Sequence, residues 1–335
     1  MAKTVKMQDI AGRLGVSTMT VSKALSGKSG VSEQTRQKIK QLAAEMGYIA
    51  PGTDKEDEKK SYNIGVLLSE YYTDQSTTFY WKLYQEICTK AVEKNCFAML
   101  EMLSTSDEAE RKTPKLLQER KIDGLIILGR VESEYLRLLE QKSDVPILYM
   151  DFYDTSVHED SVVSNSFYGT YQITNYLFEK GHKEIAFVGN MNSNMSIMDR
   201  YLGYQKSLLE HGKEIKNEWI VLDRNHERDS YEQITLPRQM PTAFVCNCDL
   251  TASKLIKSLN EANYRVPEDV SVVGYDDYIY SGLCNVGITS YGVDMERMAC
   301  KGIKLLLQKI TGKAYRKGLH VVEGYLVERN SVQSI

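Results

Sequence analysis

Apolar residues in the first 48 positions recur at intervals of three and four, whereas beyond Tyr62 they gather into short unbroken runs. The first pattern predicts helices and the second predicts buried strands. Over Met7 to Leu25, Ile10, Leu14, Val16 and Val21 form the shared interior of two helices. Ala11 is small where the second helix would cross the first, and Gly15 suits the tight turn between them. Ser17 is placed to cap the second helix. A third helix follows, capped by Ser32, with Ile39, Leu42, Ala43 and Met46 at helical spacing and Gly47 as its end. In the body the apolar runs are 64–68, 97–100, 125–128, 147–150, 185–188, 243–246 and 270–273, and amphipathic stretches such as 84–94, 168–180, 201–211 and 251–262 separate them. Continuous apolar strands alternating with helices imply an α/β body of parallel sheets covered on both faces. The length suits two doubly wound sheets of about five or six strands better than one very wide sheet.

In the head this arrangement leaves Thr18, Met19, Ser22 and Lys23 outside, near the start of the second helix. In a helix-turn-helix, that end of the recognition helix reaches base edges in the major groove. Ser17, Thr20, Lys28 and Arg36 complete the candidate DNA-contacting set, and an ordinary helical hairpin is the plainer alternative. Charge adds to the picture. The first 48 residues hold eight lysines and arginines against three acids, while the whole chain is at −3. A basic head on an acidic body fits phosphate contact. In doubly wound folds ligands bind beyond the carboxyl ends of the strands. The positions just after the apolar runs are Ser69, Asp151, Asn247, Asp249, Asp276 and Asp277.

Composition narrows the function classes. Hydrophobic residues make up 42% and charged residues 26%, the balance of a globular protein. No run approaches the roughly 18 apolar residues of a membrane span. The start MAKTVKMQDI has no apolar signal core, so the chain is expected to stay in the cytoplasm. Six scattered cysteines agree with reduced thiols. Cys246 and Cys248 read as core filler, the histidines are isolated in sequence, and neither a metal site nor a cofactor is expected. A Walker loop, a dinucleotide turn and a nucleophile elbow are all absent from the sequence, which argues against an enzyme.

The stretches IAGRLGVSTMTVSKAL and VSEQTRQKIKQLAAEMGYIA in the head, with IDGLIIL, GHKEIAFVGN, MDRYLGYQKSLLEHG, TAFVCNCDLTASKLI and VPEDVSVVGYDD in the body, resemble the lactose-repressor (LacI/GalR) family over essentially the whole chain. The resemblance implies a DNA-binding head on a core shaped like a type I periplasmic binding protein. Its two subdomains would enclose a ligand cleft, and the chain would cross between them three times, near Asp160, Tyr291 and Glu323. The expected divisions are a head over 1–50, a charged linker over 51–61 and a core over 62–335. Subdomain one would take about 62–160 and 292–323, and subdomain two about 161–291 and 324–335.

The same resemblance implies a homodimer that reads a palindromic operator in double-stranded DNA. It would be a repressor of carbohydrate-utilisation genes, controlled by a mono- or disaccharide in the cleft. Arg200 is similar to the family arginine that reaches a sugar hydroxyl, Asp276 to the acceptor facing it, and Asn247 to an asparagine at a strand end. Asp151 and Ser69 lie at the corresponding ends in subdomain one. A cationic fork opposite carboxylates matches a hydroxyl that both donates and accepts. A salt bridge between subdomains is the alternative for Arg200 and Asp276. Tyr71, Tyr72, Phe79, Tyr80 and Trp81 bracket the loop after the first core strand. They either offer flat faces to a sugar or simply cover the subdomain.

Three departures from the family pattern stand out. Asn247-Cys248-Asp249 replaces the usual Asn-Asp, and Lys6, or Thr4 further back, stands where a hydroxyl caps the first helix. Segment 51–60, Pro-Gly followed by four acids among three lysines, holds no large apolar residue to wedge into a minor groove. It is expected to be a flexible tether, with the operator centre bent little. With no heptad helix after the last strand, a dimer is expected rather than a tetramer. A second functional reading has the core binding a phosphorylated carrier protein as corepressor in place of a free sugar.

Overall fold

A computed structural model describes residues 6–25, 30–46, 48, 61–72, 79–156, 159–224, 233–278 and 285–335. The chain separates into a head that ends at Ser61 and a body from Tyr62 to Ile335. The expectations for Gly47, Lys28 and the tether at 51–60 fall outside the described residues.

The head holds α1 (Met7–Leu14), α2 (Thr18–Leu25) and α3 (Glu33–Glu45). Lys6 is the N-cap of α1, and its backbone N–H donates to Asp9 Oδ2 at 2.7 Å. Gly15 ends α1 at φ +62°, a left-handed conformation that costs a residue without Cβ nothing. Ser17 Oγ accepts the Thr20 N–H at 3.1 Å and Ser32 Oγ accepts the Thr35 N–H at 3.2 Å, so both expected serine caps form. Ile10, Ala11, Val21, Ala24, Ile39 and Ala43 are the buried interior.

In the body, six of the seven apolar runs lie wholly on strands and the seventh, 270–273, begins one residue before its strand; the strands form two six-stranded sheets. The first sheet contains β1 (Asn63–Ser69), β2 (Phe97–Leu103), β3 (Gly124–Leu128), β4 (Ile147–Met150), β5 (Asp160–Ser164) and β11 (Leu319–Val322), in the order β11-β5-β4-β3-β1-β2. All its pairings are parallel. The second contains β6 (Ile185–Val188), β7 (Ile220–Val221), β8 (Ala243–Cys246), β9 (Ser271–Asp276), β10 (Thr289–Gly292) and β12 (Tyr325–Val327), in the order β12-β10-β9-β8-β6-β7. Only β12 runs antiparallel there. Helices α4 (Phe79–Glu93) and α11 (Met295–Ile310) serve the first sheet, while α8 (Ser166–Glu179), α9 (Met195–Glu210) and α10 (Asp249–Glu261) serve the second. The short helices α5 (Thr105–Ala109) and α6 (Lys115–Gln118) and the longer α7 (Ser133–Lys142) complete the first half.

The first crossing differs from the expectation near Asp160. Strand β5 stays in the first sheet through Ser164, and the chain leaves only at Asn165. The reason is that Asp160 anchors the strand's beginning. Its carboxylate accepts from Gly318 N–H at 2.6 Å and Tyr315 OH at 2.9 Å and pairs with Lys309 at 3.0 Å. The second crossing follows Gly292 and the third lies at Glu323 and Gly324. The three sit side by side. Asn165 Nδ2 donates to Glu323 Oε1 at 2.9 Å, Gly324 N–H donates to Tyr291 OH at 3.0 Å, and a Cβ on Gly324 would stand 2.1 Å from the Gly292 carbonyl oxygen. Only glycine permits that approach between two crossing strands.

Candidate functional site

On the head, Thr18, Met19, Ser22 and Lys23 are exposed at the start and outer face of α2, with Met19 67% accessible. Ser17 and Thr20 flank them, their hydroxyls bonded to each other at 2.9 Å as part of the cap. Arg36 does something else. Its side chain is only 13% accessible, and Nη1 donates to the Ala24 carbonyl at 3.1 Å and, at 3.4 Å, to that of Lys23. A cation over the last carbonyls of α2 satisfies orphan acceptors and opposes the helix dipole. The expected phosphate contact at Arg36 is therefore corrected to a helix-end cap.

In the body, the loops beyond β4, β6, β8 and β9 bring groups from both sheets together. The chain leaves β4 through Asp151 at φ +67°, and Tyr80, at the start of α4, donates its hydroxyl to Asp151 Oδ2 at 2.9 Å. Arg200 arrives from the second turn of α9. Its Nη1 donates to the Asn247 carbonyl at 2.6 Å, its Nη2 lies 3.4 Å from Asp276 Oδ1, and its guanidinium carbon stands 3.8 Å from the Tyr275 ring centroid. Its Nε is buried with no hydrogen-bond partner. Burial pushes Asp276 up to about 7; Arg200 pulls it back and Asp151 pushes it further up. Burial also raises Asp151 to about 6 against the pull of Arg200 and the Tyr80 hydrogen bond. Arg200 and Asp276 both belong to the second subdomain, so their pairing does not bridge the two. Among the described residues, contacts that do bridge the two include Tyr153 OH donating to Asp199 Oδ2 at 3.2 Å, Tyr275 OH to Ser164 Oγ at 3.3 Å, and the Arg130 guanidinium to the Ser193 carbonyl.

The remaining expected residues divide. Ser69 is buried at the end of β1. Tyr71 stands edge-on to Tyr72, which stacks at a tilt 4.3 Å from Tyr80. Phe79 is part of the apolar core, and from that aromatic group Tyr80 bonds the acid. Asn247 offers Arg200 its main chain only; its amide turns back to Val188 O at 3.1 Å and Asp223 Oδ2 at 2.7 Å. The sequence reading missed Asp223 and Arg224, a buried pair with Nη2 to Oδ2 at 2.9 Å. Burial raises Asp223, but Arg224, Thr251 and Asn247 hold it below the usual carboxylate range. The two-residue β7 that precedes the pair is too short to announce itself as an apolar run. Cys248 stands at the N-cap of α10, its sulfur 3.5 Å from the Thr251 N–H, and Cys246 is buried in the core of the second sheet.

Two family descriptions match this chain. Residues 6–50 match bacterial regulatory proteins of the lacI family, and residues 174–332 match a periplasmic binding protein-like domain. The chain is 29% identical to the HTH-type transcriptional repressor PurR of Pectobacterium atrosepticum over 342 residues, covering 97% of this chain and 96% of that one. It is also 29% identical to the PurR repressor of Vibrio atlanticus, with 98% and 99% covered. Among solved structures, the lac repressor dimer bound to operator and the anti-inducer ONPF aligns at a TM-score of 0.66 with 24% identity, covering 99% of this chain and 100% of that chain. The complex of the transcriptional regulator CelR with cellobiose aligns at 0.67 with 22% identity, covering 98% and 99%. These structural likenesses show a shared fold. No helix among the described residues is long and apolar enough to cross a membrane. With a lacI-type head followed by a periplasmic-binding-protein-like body, and relatives of equal length that are repressors rather than enzymes, this chain belongs to the lacI family of bacterial regulatory proteins and is a DNA-binding transcriptional repressor.

Proposed function

We propose that the chain is a homodimeric repressor of carbohydrate-utilisation genes whose grip on a palindromic operator is set by a mono- or disaccharide held between the two subdomains. One observation carries the sugar reading. Arg200, with its buried unpartnered Nε, stands beside the carboxylates of Asp276 and Asp151, an arrangement of donor and acceptors that suits vicinal hydroxyls. Regulators of this fold solved with cellobiose, D-xylulofuranose or ribose support the same ligand class. The dimer reading is supported by an apolar stripe on α4, where exposed Trp81 and Val92 and half-buried Tyr84 and Cys88 follow one another at helical spacing beside the edge strand β2. Thermal-shift titration with a panel of mono- and disaccharides, followed by operator binding with each stabilising sugar, tests the proposal. A sugar that both raises the melting temperature and changes operator affinity is expected. If no sugar does either, the carbohydrate reading is wrong.

The head gives a separate expectation. Exposed Lys23 can donate to guanine and exposed Met19 can meet a thymine methyl. Lys23→Ala is expected to weaken operator binding by about 1–3 kcal/mol and to relax the preference at one base pair in each half-site. Half-sites about one helical turn apart follow from two-fold symmetry. Binding to a library of operator variants reads both effects. An equal loss on every sequence would mean that Lys23 contacts only phosphate.

A further inference from the structure

The turn that brings Asp276 to the site is fastened from behind by a residue that does not touch Arg200. Asp276 and Asp277 are consecutive non-glycine residues at φ +105° and +54°. Such conformations disfavour a residue with a Cβ and persist only where the surroundings over-determine them. Both amides that follow Asp276 lead to one acceptor. Asp277 N–H donates to Ser290 Oγ at 3.1 Å, the Ser290 hydroxyl donates to Asp249 Oδ2 at 3.0 Å, and Tyr278 N–H donates to that same oxygen at 2.8 Å. Asp249 lies in the first turn of α10, buried, with Oδ1 unpartnered. It reaches the turn only because residue 274 is glycine: a Cβ there would stand 1.9 Å from Asp249 Oδ1. Ser290 belongs to β10, the strand that runs into the second crossing.

We infer that Asp249 is a positioning residue: it clamps the left-handed turn that presents the Asp276 carboxylate and ties that turn to the strand entering the crossing. This role rests on reading Asp276 as part of the effector site. The clamp itself is a property of the fold and is tested separately. Asparagine at 249 keeps the volume and one carbonyl acceptor, whereas alanine keeps neither. Alanine at 290 removes only the link to Asp277 and leaves that to Tyr278.

The test uses the full chain as wild type, Asp249→Ala, Asp249→Asn and Ser290→Ala. Amide hydrogen exchange is followed at Asp277, Tyr278 and, as a control, along β1, and thermal-shift titrations are run with D-ribose, D-glucose and cellobiose. Asp249→Ala is expected to speed exchange at both Asp277 and Tyr278 by about a hundredfold with β1 unchanged, and to weaken the binding sugar by about tenfold or more. Asp249→Asn is expected to stay within about threefold of wild type in both, and Ser290→Ala to loosen Asp277 alone. Unchanged exchange at Tyr278 in Asp249→Ala overturns the clamp. Faster exchange with an unchanged affinity overturns the positioning role. If none of the three sugars binds the wild-type chain, the sugar reading fails on these probes, and the exchange pattern still decides whether Asp249 holds the turn.

Discussion

Arg200→Ala is expected to abolish the response to effector and to destabilise the body by about 3–5 kcal/mol at alkaline pH, because it strips the cation from two buried acids. The pH dependence follows from the acids' titration. Asp276 sits at about 7 and Asp151 at about 6 in the folded body, against about 4 in an unfolded chain. The folded state therefore binds more protons than the unfolded state from about pH 4 to about pH 7, and these two groups make the body less stable as pH rises through that window. Without Arg200 both acids lose the charge that pulls them down, so the decline steepens and reaches higher pH. Urea unfolding at pH 5 and pH 8 checks this: the deficit of Arg200→Ala should be small at pH 5, where both acids can protonate, and full at pH 8. An equal deficit at both values would show that Arg200 acts through packing on Tyr275 alone. In operator titrations, losing a charge-assisted hydrogen bond of roughly 1.5–3 kcal/mol should weaken the sugar by about tenfold or more.

The double variant Trp81→Glu with Val92→Asp is expected to leave the body folded but monomeric. Both residues are well exposed on the single protomer, at 41% and 66%, so the protomer's own packing should hardly change and any fall in melting temperature should reflect only the lost association. On a shared interface, however, two acids per protomer would face an apolar seam. A monomer engages one half-site instead of two, and operator affinity should fall by about a thousandfold through lost avidity. Sedimentation and operator titration at matched concentration read the two effects. A dimer that survives the double variant places the interface on another face.

Much of this architecture is written in local pattern. The head is legible because its constraints are near neighbours. Gly15 ends α1, Ser17 and Ser32 cap the next two helices, and Ile10, Val21 and Ile39 bury together at helical spacing. The seven apolar runs are equally plain: six lie on strands that are buried almost throughout and have no room for polar residues, and the seventh is the edge strand β2, half-buried along most of its length. From motif resemblance, the sequence also picked out Arg200, Asp276 and Asp151, which the structure brings into one electrostatic site.

Other features depend on partners far away in the chain. Strand β5, reading DSVVS, is too polar to be taken for a core strand. It becomes one because Lys309 and Tyr315, some 150 residues on, satisfy Asp160. Arg36 looked like a phosphate contact on charge alone, yet the carbonyl ends of α2 claim its guanidinium. Asn247 kept its expected place, but Asp223 and Thr251 take its amide, leaving only its carbonyl for Arg200. The carboxylate displaced to Asp249 gains its task from Gly274 and Ser290 on neighbouring strands. Periodicity and motif thus fix which residues are buried and which strand ends carry polar groups. Which partner each buried polar group takes is decided by tertiary packing, because an unpaired buried donor or acceptor is costly enough to override local preference.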